Sequence, residues 1–130
     1  MERMRVQADW GLPFIDLDGD TFRQIVVDRE AGQYLGHPTT VLLDDGRTMI
    51  IVYPKGHGAG SIVMKRSPDA GLSWSGRLGV PENWSTSREV PTIYRLRGRG
   101  DEKCLVLFSG LYPIRMARSQ DEGESWSPLE

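Results

Sequence analysis

Residues 67–74 read Ser-Pro-Asp-Ala-Gly-Leu-Ser-Trp, and residues 119–126 read Ser-Gln-Asp-Glu-Gly-Glu-Ser-Trp, so both stretches fit Ser-x-Asp-x-Gly-x-Ser-Trp. Their aspartates, Asp69 and Asp121, are 52 residues apart (121 minus 69). Upstream of each copy a Pro-Thr pair opens a predicted strand, and Pro38 and Pro91 are 53 residues apart (91 minus 38). Because the spacing holds across the whole unit, the chain contains a repeat of about fifty residues rather than a recurrent turn.

Short runs rich in β-forming residues recur along the chain between clusters of Gly, Pro, Asp and Ser, and helical periodicity is nearly absent. We therefore expect an all-β fold. The Asp45-Gly46 pair predicts a tight hairpin between the second and third runs. The predicted strands are Phe22–Asp28, Thr39–Leu43, Met49–Tyr53, Ile62–Arg66, Thr92–Leu96, Leu105–Ser109 and Ile114–Arg118.

The residues that recur are those that a tight turn needs. An aspartate carboxylate can accept hydrogen bonds from the backbone N–H groups of its own turn, and a glycine can take a positive φ. The serines add hydrogen bonds, and the tryptophans can pack against apolar surface. A lone Asp-x-Gly lacks the oxygen ligands of a calcium loop, so we predict no metal site. We assign a structural role to Ser67, Asp69, Gly71, Trp74, Ser119, Asp121, Gly123 and Trp126.

The repeated motif resembles the Asp-box, or BNR, repeat of the sialidase superfamily, and the resemblance covers residues 34–126. It implies a β-propeller whose blades have four antiparallel strands, with two of six blades in this chain. We assign residues 34–80 to the first blade, residues 87–130 to the second, and residues 1–33 to an N-terminal strand and loop segment. The remaining blades are expected from a longer parent chain or from association of several copies.

The resemblance implies a sialidase-like (neuraminidase-type) glycoside hydrolase that acts on a terminal acidic sugar. The alternative is a non-catalytic propeller that binds carbohydrate or protein, as a lectin does, because enzymes, receptors and assembly factors share the repeat. The chain departs from the family twice. Gly36-His37-Pro38 replaces an Arg-Ile-Pro segment, and Lys55-Gly56-His57 replaces an acidic residue. The tyrosine nucleophile of the family and its glutamate partner would lie in blades outside this chain.

The candidate site residues belong to segments that a four-stranded antiparallel unit places at one edge, which we call the upper edge. His37 and His57 are candidate catalytic residues, since an imidazole can act as a general base or bind a sugar hydroxyl; the alternative is a pair of exposed loop histidines. Arg88 can bind a ligand carboxylate through two hydrogen bonds, or can pair with a neighbouring surface carboxylate. The other candidate substrate-binding residues are Glu89, Lys55 and Tyr112.

The charge and composition of the chain limit the classes of partner that it is expected to bind. The chain has 16 basic and 18 acidic residues without a one-sided run, which argues against binding to nucleic acid or to a membrane surface. No stretch has the length of a membrane span, and the first residues lack a signal peptide, so we expect a soluble chain whose parent can still be secreted or periplasmic. The single cysteine, Cys104, lies in an apolar run and is expected to be structural. We expect a glycan or small sugar ligand and no cofactor.

Overall fold

The computed structural model describes residues 15–130, in which six strands form two three-stranded antiparallel sheets. The prediction of an all-β fold is confirmed. Among the described residues the helical elements are three short 3₁₀ helices, Thr21–Arg23, Glu82–Thr86 and Arg99–Asp101, and none of them has the length or apolar character to cross a membrane. The first sheet contains β1 (Thr39–Leu42), β2 (Met49–Pro54) and β3 (Ile62–Ser67), and the second contains β4 (Pro91–Arg97), β5 (Lys103–Ser109) and β6 (Arg115–Ser119).

The two sheets share one strand order and one register. Each sheet is a meander in which the middle strand pairs with both neighbours. One row of paired residues across the first sheet is Thr39, Val52 and Met64, and the corresponding row across the second is Thr92, Phe108 and Met116. The repeat in the sequence is therefore a repeat of whole sheets.

The prediction of four-stranded units is wrong, because each sheet has three strands. The segment after each tryptophan runs beside the last strand of its sheet and makes a few backbone hydrogen bonds to it without forming a strand. These bonds include Ser75 N to Arg66 O (2.8 Å) in the first sheet, and in the second Ser127 N to Arg118 O (2.9 Å) and a reciprocal pair between Met116 and Glu130 (2.8 and 3.1 Å). Gly76 and Pro128 explain the irregularity in part. Glycine loses much conformational entropy in a strand, and proline has no N–H for the ladder.

The predicted first strand, Phe22–Asp28, is also absent. Its start is the 3₁₀ helix Thr21–Arg23, and the chain then runs across the outer face of the first sheet as residues 24–35, which we call the N-terminal segment. Val27 and Leu35 of this segment pack against the apolar cluster on that face. The run of β-forming residues predicted a strand, but within residues 15–130 this backbone pairs with no strand.

The main core lies between the two sheets and contains side chains from both. Its inner strands run side by side, since the Thr39 hydroxyl donates to Pro91 O (3.1 Å) and accepts from Ile93 N (3.2 Å). Trp84 is fully buried and meets Trp126 edge to face at 5.4 Å. The buried members of this core are Leu43, Ile50, Val52, Ile62, Met64, Trp84, Ile93, Leu105, Leu107, Ala117 and Leu129.

The two repeat turns have the same hydrogen bonds. In the first turn, the Ser67 hydroxyl accepts from Gly71 N (2.8 Å) and Asp69 Oδ1 accepts from Ser73 N (2.8 Å). The Nε1–H group of Trp74 donates to the carbonyl of Gly71 (3.1 Å). The corresponding distances in the second turn are 2.8, 2.9 and 3.2 Å. In that turn the hydroxyl and N–H of Ser125 lower the pKa of Asp121 to about 2. Both carboxylates therefore serve the turns that contain them.

Candidate functional site

The upper edge consists of the segments that lead into β1 and β4 together with the turns after β2 and β5. The antiparallel order brings these four segments together, and Gly60 N donates to Ser87 O (3.1 Å) between the two sheets. The hairpin of the first sheet and the repeat turns lie at the opposite, lower edge, where Ala70 N donates to Arg47 O (2.7 Å). All six candidate site residues therefore belong to one edge of the protein.

The two histidines form a pair at this edge. His37 Nε2 and His57 Nδ1 are 3.3 Å apart, and the rings meet edge to face with their centroids 4.6 Å apart. In this contact one ring donates its N–H and the other accepts it, in an order set by the tautomers of the two rings. Both residues are exposed, and the pair is open to a ligand from solvent.

The backbone conformation of His37 and the lack of a side chain at Gly36 position the histidine pair. His37 has a φ of 51°, a left-handed conformation that costs a non-glycine residue on the order of 1 kcal/mol. The ring of Tyr34 folds over Gly36, where a Cβ would lie 2.2 Å from the tyrosine Cε1. Tyr34 thereby comes within 5.4 Å of the His57 ring. Three ring side chains thus share one exposed patch.

A cavity of about 300 Å³ opens beside the second sheet, and two guanidinium groups line it. Arg115 is held in place, because its Nη1 donates to the hydroxyl of Thr86 (2.8 Å) and its Nη2 donates to the carbonyl of the same residue (2.7 Å). Arg88 is exposed and has no hydrogen-bond or ion-pair partner within residues 15–130. The side chain of Tyr112 is 95% exposed at the rim. The cavity is lined by Thr86, Arg88, Gly110, Leu111, Tyr112, Pro113 and Arg115.

Glu89 lies between the histidine pair and the cavity. Its Oε1 accepts from Val90 N (2.8 Å) and comes within 3.1 Å of the point that a Cβ on Gly58 would occupy. A Cβ on Gly110 would lie 2.9 Å from the Glu89 Cγ. The two glycines leave a slot for this half-buried carboxylate, which links the turn of His57 to the turn that borders the cavity.

Lys55, the remaining candidate, faces away from both groups. Its ammonium pairs with Glu30 of the N-terminal segment (3.0 Å), and Arg77 binds the same carboxylate (2.5 Å). Arg77 also binds Asp28 (2.7 Å), which accepts a hydrogen bond from the Tyr53 hydroxyl. This ion-pair network attaches the N-terminal segment to the first sheet and occupies Lys55.

The network changes the titration of two of its members. Burial of the Asp28 carboxyl opposes ionisation, but hydrogen bonds from Arg77 and Tyr53 outweigh it and lower the pKa of Asp28 to about 2. Burial raises the pKa of Tyr53 above its usual range, and the bond to Asp28 raises it further. Tyr53 therefore remains a protonated donor at neutral pH and is not an activated nucleophile.

Two residues of the site were not predicted from the sequence as ligand contacts, Arg115 and Tyr34. Arg115 corresponds to Val63 in the first repeat (115 minus 52), so an apolar position of one repeat is cationic in the other. This difference between the two repeats could have identified Arg115 as a candidate ligand contact from the sequence. Tyr34 gave no comparable signal, because only its packing over Gly36 brings it to the histidines.

Comparisons of the chain with protein-family models, with curated proteins and with solved structures find no match. We therefore infer the chemistry of the upper edge from the side chains that lie there. The cavity has two cations and a phenol, which suits an anionic ligand with hydroxyl groups. The histidine pair has a proton donor and an acceptor within hydrogen-bond distance of each other.

Proposed function

We propose that this protein binds a carboxylated sugar at its upper edge. The observation that carries the proposal is the cavity in which Arg88 and Arg115 both line the wall and, among residues 15–130, no acidic residue does. A guanidinium binds a carboxylate through two parallel charge-assisted hydrogen bonds. The volume of about 300 Å³ lies at the lower end of the range for small-molecule sites, roughly 300–1,000 Å³, and suits one sugar unit.

The neighbouring groups support a sugar over a simple anion. Tyr112 offers a hydroxyl group at the cavity, and Glu89 offers a carboxylate acceptor on the side of the histidines. Sugar hydroxyls need both donors and acceptors, which a purely cationic site would not supply. An aromatic ring such as that of Tyr34 can pack against the apolar face of a sugar that extends toward the histidine pair.

The two sheets are, in the same proposal, neighbouring blades of an Asp-box β-propeller of the sialidase kind. The identical hydrogen bonds of the two repeat turns support this interpretation, as does the face-to-face packing of two meanders whose inner strands run side by side. The blades of a propeller surround a central channel, which brings the upper edges of neighbouring blades together. The paired histidines, Arg88 and the cavity all lie at that edge.

Hydrolysis of the bound sugar is the second candidate function, and the contact between His37 and His57 favours it. A neutral imidazole whose N–H is fixed by its neighbour can take a proton from water or from a sugar hydroxyl. Binding without turnover requires none of this chemistry. The two functions therefore differ in whether a product is released.

Binding is tested by calorimetric titration of the purified chain with N-acetylneuraminic acid, glucuronic acid and glucose. We expect one or both acids to bind and glucose not to bind. Replacing Arg88 by Ala removes a charge-assisted pair and is expected to raise the Kd for the acid by roughly 10- to 100-fold. The matched control is Arg99→Ala, which removes an exposed arginine at the lower edge and should leave the Kd unchanged.

Equal binding of glucose, or an unchanged Kd in Arg88→Ala, would contradict the proposed function. Hydrolysis is tested with the 4-methylumbelliferyl glycoside of the acid that binds. Release of the fluorophore that His37→Ala and His57→Ala both abolish, with an unchanged Kd, would assign a glycosidase. Binding with no release would assign a lectin-like module.

A further inference from the structure

The two histidines of the upper edge have the spacing of two ligands on one metal ion. With zinc–nitrogen distances of about 2.0–2.1 Å, two nitrogens 3.3 Å apart subtend about 104–111° at the ion, a range that includes the tetrahedral angle. The nitrogens in question are His37 Nε2 and His57 Nδ1, and both residues are exposed. An ion from solvent can therefore bind both rings without changing the distance between these nitrogens.

The backbone at His37 supports a ligand that both rings hold. Its φ of 51° is left-handed, a conformation that is strained for a residue with a side chain. The hydrogen bond to His57 gives little in return, because exposed rings can bond to water instead. Strained residues are concentrated at ligand sites and active sites. A bound ion would offset the strain that the exposed hydrogen bond leaves uncompensated.

The turn that carries His57 is tight on both sides of the ring. Lys55 N donates to Ser61 O (2.9 Å), which closes the turn. A Cβ on Gly60 would lie 2.3 Å from the carbonyl oxygen of Lys55, and a Cβ on Gly56 would lie equally close to another backbone carbonyl of the turn. The glycines thus permit a close backbone approach that holds His57 in place. A ring on a fixed backbone loses less entropy when a ligand orders it.

We propose that His37 and His57 bind a divalent transition metal ion that prefers imidazole, such as Zn²⁺. Each ring binds the ion through the nitrogen that faces the other ring and keeps its proton on the second nitrogen, which is Nδ1 in His37 and Nε2 in His57. Imidazole suits zinc, copper and nickel, whereas Mg²⁺ and Ca²⁺ prefer oxygen ligands. The site lies at the upper edge, away from the repeat turns whose aspartates lack the ligands of a calcium loop.

The proposed site leaves part of the coordination sphere open. Within residues 15–130 no group of three or more histidines, cysteines and carboxylates is arranged to hold a metal ion, so the protein supplies two ligands. A tetrahedral ion on the pair then has two positions for water or for a ligand oxygen, as catalytic zinc sites keep one. The carboxylate of Glu89 lies beside Gly58, the neighbour of His57, and its negative charge favours a cation there.

The test uses the full chain without a histidine tag and with Cys104→Ser. The sequence has two histidines and one cysteine, so this protein offers the two imidazoles and no thiol to the ion. Calorimetric titration with ZnCl₂ is expected to show one ion per chain, and titration with MgCl₂ is expected to show none. In ¹⁵N spectra of the histidine side chains, Zn²⁺ should shift His37 Nε2 and His57 Nδ1 and leave the other two ring nitrogens protonated.

The variant His37→Asn removes one ligand with little effect on the backbone, because asparagine tolerates a positive φ. It should raise the Kd for Zn²⁺ by at least about tenfold, since losing a residue that merely orients a zinc ligand already costs about 10- to 100-fold. His57→Asn should act in the same way. Glu122→Asn is the matched control, because Glu122 is exposed, has a φ of 57° and lies at the lower edge. It should leave the Kd unchanged.

The proposal is overturned if millimolar ZnCl₂ gives no heat of binding, or if MgCl₂ binds as tightly as ZnCl₂. It is also overturned if His37→Asn and His57→Asn both bind Zn²⁺ as the parent protein does, because the ion would then lie elsewhere. The titration uses the metal alone, so its outcome does not depend on whether the protein binds a sugar.

Discussion

At the scale of single residues, the most demanding position is the glycine of the second repeat turn. Gly123 has a φ of 87°, which a side chain disfavours, and a Cβ on it would lie 2.4 Å from the Cδ1 of Ile50 in the first sheet. Gly71, its counterpart in the first turn, has a similar φ of 92°, but its nearest neighbour to a Cβ is 3.6 Å away. The same motif residue thus has a turn role in both copies and an interface role in one.

Replacing Gly123 by Ala is therefore expected to destabilise the protein more than replacing Gly71 by Ala. Both variants bear the cost of a positive φ, about 1 kcal/mol, and only Gly123→Ala adds overpacking in the core, about 1–3 kcal/mol. Chemical denaturation followed by tryptophan fluorescence measures the difference. Equal free energies of unfolding for the two variants would show that Ile50 moves aside without cost.

At the scale of elements, the N-terminal segment differs from the strands in how it is attached. The strands are held by ladders of backbone hydrogen bonds, whereas Asp28 and Glu30 hold the segment through Arg77 and Tyr53. Lys65 adds a hydrogen bond from its ammonium to the carbonyl of Val27. An attachment that depends on carboxylates is sensitive to pH, and a backbone ladder is not.

The substitution Asp28→Asn is expected to destabilise the protein at pH 7 by on the order of 2 kcal/mol, because the carboxylate has a pKa of about 2 in the folded state. A carboxyl group whose pKa is lower in the folded than in the unfolded state stabilises the protein at pH values above its unfolded pKa. That contribution is lost as the pH falls through the folded pKa. The difference between the wild type and Asp28→Asn should therefore be full above about pH 5, shrink as the pH falls, and be lost below about pH 2.

Urea denaturation at pH 7, 4 and 2.5 measures this difference directly. Asp101→Asn is the matched control, since Asp101 is exposed and no described residue pairs with it. A gap between the wild type and Asp28→Asn that stays constant down to pH 2.5 would show that packing, not charge, holds the segment.

At the scale of the whole molecule, one core joins the two sheets. Leu107 is fully buried in the second sheet and belongs to the same cluster as Ile50 and Val52 of the first. At the lower edge Asp44 of the first sheet binds three cations of the second, Arg95 (2.7 Å), Arg97 (2.7 Å) and Lys103 (3.0 Å). The two repeats are therefore expected to unfold together.

Replacing Leu107 by Ala should cost about 2–5 kcal/mol, as a cavity in a packed core does. Hydrogen exchange should then accelerate by a similar factor in both sheets, including the amides of β2. Val63→Ala, a truncation on the outer face of the first sheet, serves as the comparison. Faster exchange confined to the second sheet in Leu107→Ala would show that the repeats unfold separately.

The sequence by itself determined the features that depend on neighbours along the chain. The repeated motif predicted both turns, the short runs of β-forming residues predicted the six strands that form, and the antiparallel order placed the candidate site residues at one edge. These features follow from local hydrogen bonding and from the two-residue period of a strand.

Only the tertiary structure decided which groups meet. The sequence predicted a strand at Phe22–Asp28, but in the part of the chain that the structure describes this segment pairs with no strand and packs over the first sheet instead. Lys55 was a candidate ligand contact, yet Glu30, 25 residues earlier (55 minus 30), pairs with it. Arg88 and Arg115 share a cavity because two segments far apart in sequence meet at one edge. Contacts of this kind depend on distances through space, which local residue patterns do not encode.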